Sequence, residues 1–159
     1  MIDLPLREGV RALVLDQSDR VLLVRFDLPD ATLWATPGGG IEGDESHEDA
    51  IRRELIEEVG LRDVDLGPII WERTHVFPFS PDFRGQHEVF FYVRVKETGG
   101  DPSFSVEELL ADGLTGSRWW TLEEMRASVD VRFAPLRLVG FLEDILRLGP
   151  PIKVIDTGV

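Results

Sequence analysis

Glu54, Glu57 and Glu58 stand in the run Arg53-Glu54-Leu55-Ile56-Glu57-Glu58-Val59-Gly60-Leu61. On a helix of 3.6 residues per turn they fall within an arc of roughly 100°. Carboxylates three and four positions apart repel by about 0.2–0.5 kcal/mol per pair, and these lie near a helix C-terminus, where the dipole also disfavours anions. Arg53 can answer one of them. A hard divalent ion held by oxygen atoms, Mg²⁺ first and Mn²⁺ next, would neutralise the set. Taken alone, the triplet reads more simply as a solvated acidic helix face; its surroundings decide between the two.

Those surroundings predict how the carboxylates are carried. Ser46 followed by Asp49 has the pattern of a capping box, which starts a helix near Ser46. Gly60 suits the left-handed residue that ends one, so the helix is about four turns long. Ile51, Leu55 and Val59 line its apolar stripe, with the glutamates beside it over the small Ala50. Immediately before it, Pro37-Gly38-Gly39-Gly40 reads as a flexible loop in which backbone groups can come close to a metal or a phosphate.

Written out from Gly39, the spacing is G-x5-E-x7-R-E-L-x-E-E-x-G-L, with Gly39, Glu45, Arg53, Glu54, Leu55, Glu57, Glu58, Gly60 and Leu61 at the fixed places. This resembles the full signature of the Nudix hydrolases, and no defining position is missing. The resemblance extends in element order from about Gly9 to Leu148. It implies an α/β fold, the Nudix fold, with a mixed β-sheet sandwiched between α-helices (α/β/α). It also implies Mg²⁺-dependent attack of water on phosphorus in a nucleoside diphosphate linked to another group. Carried over residue by residue, it makes Glu57 and Glu58 metal ligands, joined by Glu54 and the backbone carbonyl of Gly38. Arg53 would orient glutamates of its own helix, and Glu45 would brace the loop. A further carboxylate, as ligand or general base, is implied from a later loop; Glu107 and Glu108 are best placed by order, with Glu88 next.

Composition sets the frame. The chain has 159 residues, 43% of them apolar, which predicts one domain with a proper core and a short tail over 149–159. Cysteine is absent, which removes disulfides, thiolate nucleophiles and cysteine zinc sites, and the three histidines are scattered at positions 47, 75 and 87. The formal charge of −13, from 30 acids against 17 bases, argues against binding a nucleic-acid polymer but leaves small phosphorylated substrates open. The N-terminal segment does not read as a leader and no stretch reads as a membrane span, so a cytoplasmic protein is expected.

Along the chain, Val10 to Leu15 and Val21 to Phe26 predict a hairpin, and Leu33 to Thr36 a short strand. Ile69 to Phe77 and Glu88 to Val95 predict two more strands joined by an elaborate loop, PFSPDFRGQH. Arg118 to Thr121 reads as a strand, and Leu122 to Ser128 and Pro135 to Leu148 as helices. Trp34, Trp71, Trp119 and Trp120 read as core. Arg11 and Arg25 on the opening strands could grip phosphate oxygens, and Phe77, Phe79, Phe83 and Arg84 could cover a base or form a homodimer contact. Two other functions share such a fold: a nucleotide-sensing module without turnover, and a prenyl diphosphate isomerase, which in its usual form needs a cysteine this chain lacks.

Overall fold

The computed structural model describes residues 3–96 and 99–159, apart from the side chain of Phe79. The opening hairpin joins β1 (Leu6–Leu15) to β2 (Val21–Asp27). Asp16 makes its turn, with Oδ1 accepting from the N–H groups of Ser18 and Arg20, each at 2.9 Å. β1 shows why the sheet needs cover on both sides. Its Val10, Ala12 and Val14 belong to one apolar cluster and its Leu13 and Leu15 to another, as period-two alternation requires.

The first cluster is closed by α1 (His47–Val59), through Ala50, Ile51, Leu55 and Val59. The second is closed by α3 (Leu122–Ala127) and α4 (Leu138–Leu148), through Met125, Leu138, Leu142 and Ile145 against Trp71, Phe90 and Trp120. Between these layers runs one sheet, with β3 (Thr32–Ala35), β4 (Gly38–Gly40), β5 (Asp65–Ser80), β6 (Phe83–Arg94), β7 (Leu114–Trp120), β8 (Val131–Ala134) and β9 (Ile155–Asp156). Its strand order is β8-β3-β2-β1-β6-β5-β9, with β4 paired to β1 and β7 to β2. β1 and β6 are parallel, while β5 and β6 are antiparallel, so the sheet is mixed. A short α2 (Val106–Ala111) precedes β7.

Several expectations need correction. The glycine run is a strand: Gly38, Gly39 and Gly40 pair with Arg11, Val10 and Gly9 of β1. A Cβ on Gly39 would collide with the carboxylate of Glu54, so the glycine permits close packing there. The elaborate loop is instead strand nearly to its tip. β5 and β6 continue past Val76↔Gly85 to Ser80↔Phe83, and the register slips between those pairs, which accommodates Pro78. The last helix begins at Leu138 instead of Pro135; β8 and the cis Ala134–Pro135 peptide precede it. The tail is anchored where β9 lies parallel to β5, with Thr157 buried and its N–H donating to the Glu72 carbonyl at 3.0 Å. At α1 the Ser46 hydroxyl accepts from the Asp49 N–H at 3.1 Å, while full capping boxes stand at Ser105/Glu108 and Thr121/Glu124.

The C-terminal end of α1 is clamped. Gly60 takes the left-handed conformation at φ 68°, and its N–H returns to the Ile56 carbonyl. The Ile56 carbonyl also accepts from Ser103 N–H at 3.0 Å, and the Glu57 carbonyl from Phe104 N–H at 3.3 Å. Gly60 and Gly100 pass so closely that a side chain on either would strike the other's backbone.

On the outer part of the sheet, His87 of β6 bridges Glu8 on β1 at 2.9 Å and Glu72 on β5 at 3.4 Å. The bond to Glu8 leads the effects that raise its pKa above the ordinary 6.5, against a partial loss of solvation. A raised folded-state pKa means that this contribution is full below the unfolded value and disappears as pH rises through the folded one. His87→Gln is therefore expected to lose the corresponding decline in stability above about pH 6.5, as read by urea denaturation across neutral pH. Solvent screening keeps the effect below about 1 kcal/mol.

Candidate functional site

α1, β4 and the end of β1 together bound a cavity of about 540 Å³. Glu54, Glu57 and Glu58 line it from α1, and Gly38, Gly39 and Gly40 from β4. Arg7 and Arg11 of β1 and Glu108 and Asp112 near α2 complete much of the wall.

Arg53 ties the helix to the glycine strand. Its Nε and Nη2 donate to the two oxygens of Glu45 at 2.7 and 2.9 Å, a two-pronged pair. Nη1 donates to Glu54 at 3.0 Å and to Glu57 at 3.1 Å, and Nη2 also reaches the Gly40 carbonyl at 3.0 Å. The bond from Arg53 holds the Glu45 carboxyl at about 2, well below its ordinary value. Glu45 is thus committed to bracing, and its second task is to accept the Glu42 N–H at 2.9 Å.

The three carboxyls that α1 brings to the cavity shift the opposite way from Glu45. Burial pushes the Glu58 carboxyl up to about 8, with Arg11 pulling against it and Glu54 adding to it. Burial likewise raises Glu54 and, against the pull of Arg53, Glu57. Glu58 Oε1 accepts the Gly38 N–H at 2.8 Å, which locks the helix against β4. In all three, burial is the largest cause of the shift, and the neighbouring arginine opposes it.

Hard oxygen donors suit Mg²⁺ or Mn²⁺. Among the described residues no three Asp, Glu or His side chains converge closely enough to enclose an ion by themselves. Mg²⁺ does not ask for that. It keeps waters and takes one or two carboxylates together with substrate phosphates, so an open wall of glutamates beside a backbone carbonyl fits its habit.

Other residues singled out from the sequence lie as follows. Arg11 lines the cavity but is held by Glu88 and donates to the carbonyls of Thr36 at 3.2 Å and Gly38 at 3.3 Å. Glu88 is buried between Arg11 and Arg73, and the two guanidiniums overcome its burial to bring its carboxyl down to about 2. That ion-paired setting does not suit a general base. Glu108 lines the cavity, with one oxygen accepting Ser105 N–H at 3.1 Å, whereas Glu107 is not part of the wall. Arg25, its side chain exposed near the end of β2, pairs with Asp27 at 2.9 Å, and Arg84 lies 3.9 Å from Asp3; neither lines the cavity. The strands past the sheet carry Phe77 and Phe83 away from the cavity wall, and the side chain of Phe79 lies outside the described residues.

With Glu42 and Asp112, Arg7 is a charged cavity residue that sequence reasoning missed. Its guanidinium lies against Gly40, and among the described residues it has no ion pair or hydrogen bond. The available signal was parity: Arg7 and Arg11 are four residues apart, on one side of a strand that begins earlier than its apolar run.

A family model described as the NUDIX domain matches residues 5–138. An RNA pyrophosphohydrolase of Gluconacetobacter diazotrophicus is 31% identical over 160 residues, covering 91% of this chain and 89% of its own. Among solved structures, an ADP-ribose pyrophosphatase from Streptococcus suis superposes with a TM-score of 0.62 at 22% identity, over 94% of this chain and 98% of its own. The NUDIX domain of Shewanella oneidensis NrtR, complexed with ADP ribose, gives a TM-score of 0.63 at 20% identity, over 91% and 90%. At these identities the two structures speak for the fold.

Proposed function

The chain belongs to the Nudix family, and from that premise we propose that it hydrolyses the diphosphate linkage of a nucleoside diphosphate derivative with the help of a divalent cation. Nucleoside triphosphates, nucleotide sugars, ADP-ribose and dinucleotide polyphosphates all present that linkage. The observation that carries this reading is one cavity lined by three glutamates of a single helix turn and a half, a glycine strand and an arginine, Arg7, that has no ion pair among the described residues.

Glu54, Glu57, Glu58 and the Gly38 carbonyl are the residues that would hold the cation. A bound Mg²⁺ supplies neutralisation of the diphosphate charge and makes water more acidic. Arg53 keeps Glu54 and Glu57 turned toward the cavity, and Glu45 keeps Arg53 in place. Arg7, without a hydrogen-bond partner among the described residues, binds a phosphate oxygen through its N–H donors. Of the two later glutamates, Glu108 is the better proton acceptor for the attacking water because it faces the cavity.

A panel of these compounds, assayed with Mg²⁺ for release of phosphate or nucleoside monophosphate, tests the reading. Turnover of at least one compound is the expected result; binding without turnover across the panel would support a sensing module instead. Millimolar Mg²⁺ is also expected to raise the Tm of the wild type and not of Glu58→Gln, since a ligand of the folded state stabilises it.

The relative from Gluconacetobacter diazotrophicus favours including RNA that carries a 5′-triphosphate. Its terminal anhydride is the same bond, although the net charge of −13 opposes a long polyanion. Faster turnover of the RNA than of free nucleoside triphosphates, with rates falling as salt rises, would assign the polymer as substrate.

A further inference from the structure

Gly38 is gripped at both ends of its backbone. Its N–H donates to Glu58 at 2.8 Å, and its carbonyl accepts from Arg11 Nη1 at 3.3 Å. Glycine permits this approach, since a Cβ at position 38 would strike the main chain of Val10 and Arg11. That carbonyl is the one proposed above as a ligand of the cation, so a guanidinium stands on an oxygen that the cation would use. Arg11 is held there from behind: Nε pairs with the buried Glu88, and Nη1 also donates to the Thr36 carbonyl at 3.2 Å. Burial raises the Glu54 and Glu58 carboxyls, and the charge of Arg11 opposes it at both, as a bound cation would. Two positive charges on one carbonyl repel strongly in a partly buried site. Arg11 also lines a separate chamber of about 210 Å³ with Leu33, Thr36 and Arg73, which leaves its side chain space to draw back.

We propose that Arg11 is a rival of the cation for the Gly38 carbonyl, so that the free protein takes up a bare divalent cation poorly and takes it up well together with a diphosphate. The proposal rests on the cation reading above. Its physical reason is charge balance. A bare cation must face the guanidinium, whereas a cation that arrives with a diphosphate brings anionic oxygens that offset the repulsion between the two. Arg11 need touch no reacting atom: it is a positioning residue, and it decides the form in which the cation enters.

The test is equilibrium binding of Mn²⁺, read from the loss of its free EPR signal, with and without methylenediphosphonate, whose P–C–P bridge resists hydrolysis. Binding that survives in Glu58→Gln is subtracted, which removes ions held loosely by the acidic surface. Arg11→Met is expected to tighten bare Mn²⁺ by about tenfold or more, and to change Mn²⁺ affinity in the presence of methylenediphosphonate by about threefold or less. Arg7→Met removes a charge from the same cavity wall without touching the Gly38 carbonyl, and bare Mn²⁺ affinity there should change by about threefold or less. If Arg11→Met does not fold, the wild type decides: in an NMR titration with Mg²⁺, the carbonyl ¹³C signal of Gly38 and the Nη ¹⁵N signals of Arg11 should move together with one midpoint. No tightening in folded Arg11→Met, equal tightening in Arg7→Met or with methylenediphosphonate, or a Gly38 signal that moves while Arg11 stays, would each overturn the proposal. Absence of Mn²⁺ binding by the wild type even with methylenediphosphonate would refute the cation site itself, and the rivalry with it.

Discussion

Glu57→Gln is expected to leave a folded protein whose Mg²⁺-dependent turnover has dropped by about three orders of magnitude or more, the scale on which lost electrostatic stabilisation registers. The substitution keeps the shape of the side chain and removes its charge. Glu57 is the least buried of the three cavity glutamates on α1, with 18% of its side chain exposed, so its amide can be hydrated without disturbing the apolar stripe. The lost contact is one arm of a shared pair: Arg53 retains Glu45, Glu54 and the Gly40 carbonyl. Stability should therefore change by about 1 kcal/mol or less. Steady-state kinetics on the best compound of the panel, together with a melting curve, checks both halves. Undiminished turnover would sink the assignment of Glu57 as a ligand.

The largest effect on stability is expected at Glu88. Glu88→Ala leaves Arg11 and Arg73 facing each other in the sheet interior without their counter-ion, and breaking such a buried pair costs about 3–5 kcal/mol. Equilibrium urea denaturation should show the loss at neutral pH. The wild type carries a matching pH signature. Its Glu88 carboxyl titrates near 2 in the folded protein against an ordinary value of 4.5, so the unfolded chain binds the proton first as pH falls. The stabilisation is present above about 4.5 and is lost as pH drops toward 2. Glu88→Gln should flatten the stability profile in that window. A profile as steep as that of the wild type would show that other carboxylates govern acid unfolding.

How far the sequence could be read differs between local and long-range features. α1 was legible to within a residue because its cap, its stripe and its terminal glycine are all local signals. The opening hairpin was legible for the same reason: apolar runs flank a turn rich in Asp and Ser. β4 was not, since its glycines are chosen for what lies across from them, the main chain of β1 and the carboxylate of Glu54. β8 and β9 are held by parallel pairing to β3 and β5, partners distant in sequence, and so leave no periodic signal of their own. For site residues, type was legible and partnership was not. Arg11 and Arg25 read alike as phosphate grips and Arg84 as part of a loop over a base, but the fold gives each an acidic neighbour and, among the described residues, leaves Arg7 without one. An ion pair between strands more than seventy residues apart, such as Arg11 with Glu88, becomes visible only when the sheet is assembled.

The clamp on the end of α1 bears on how the glutamates meet a cation. Glu57 and Glu58 occupy the last turn of their helix, the part of a helix that ordinarily frays. Fraying would let both carboxylates wander, and each binding event would then have to order them again. With the Ile56 and Glu57 carbonyls held by the amides of Ser103 and Phe104, and Gly60 pressed against Gly100, that ordering is completed when the chain folds. As the proposed ligands of the cation, the two carboxylates are preorganised, and the entropy that a mobile helix end would forfeit on binding is spent on folding instead.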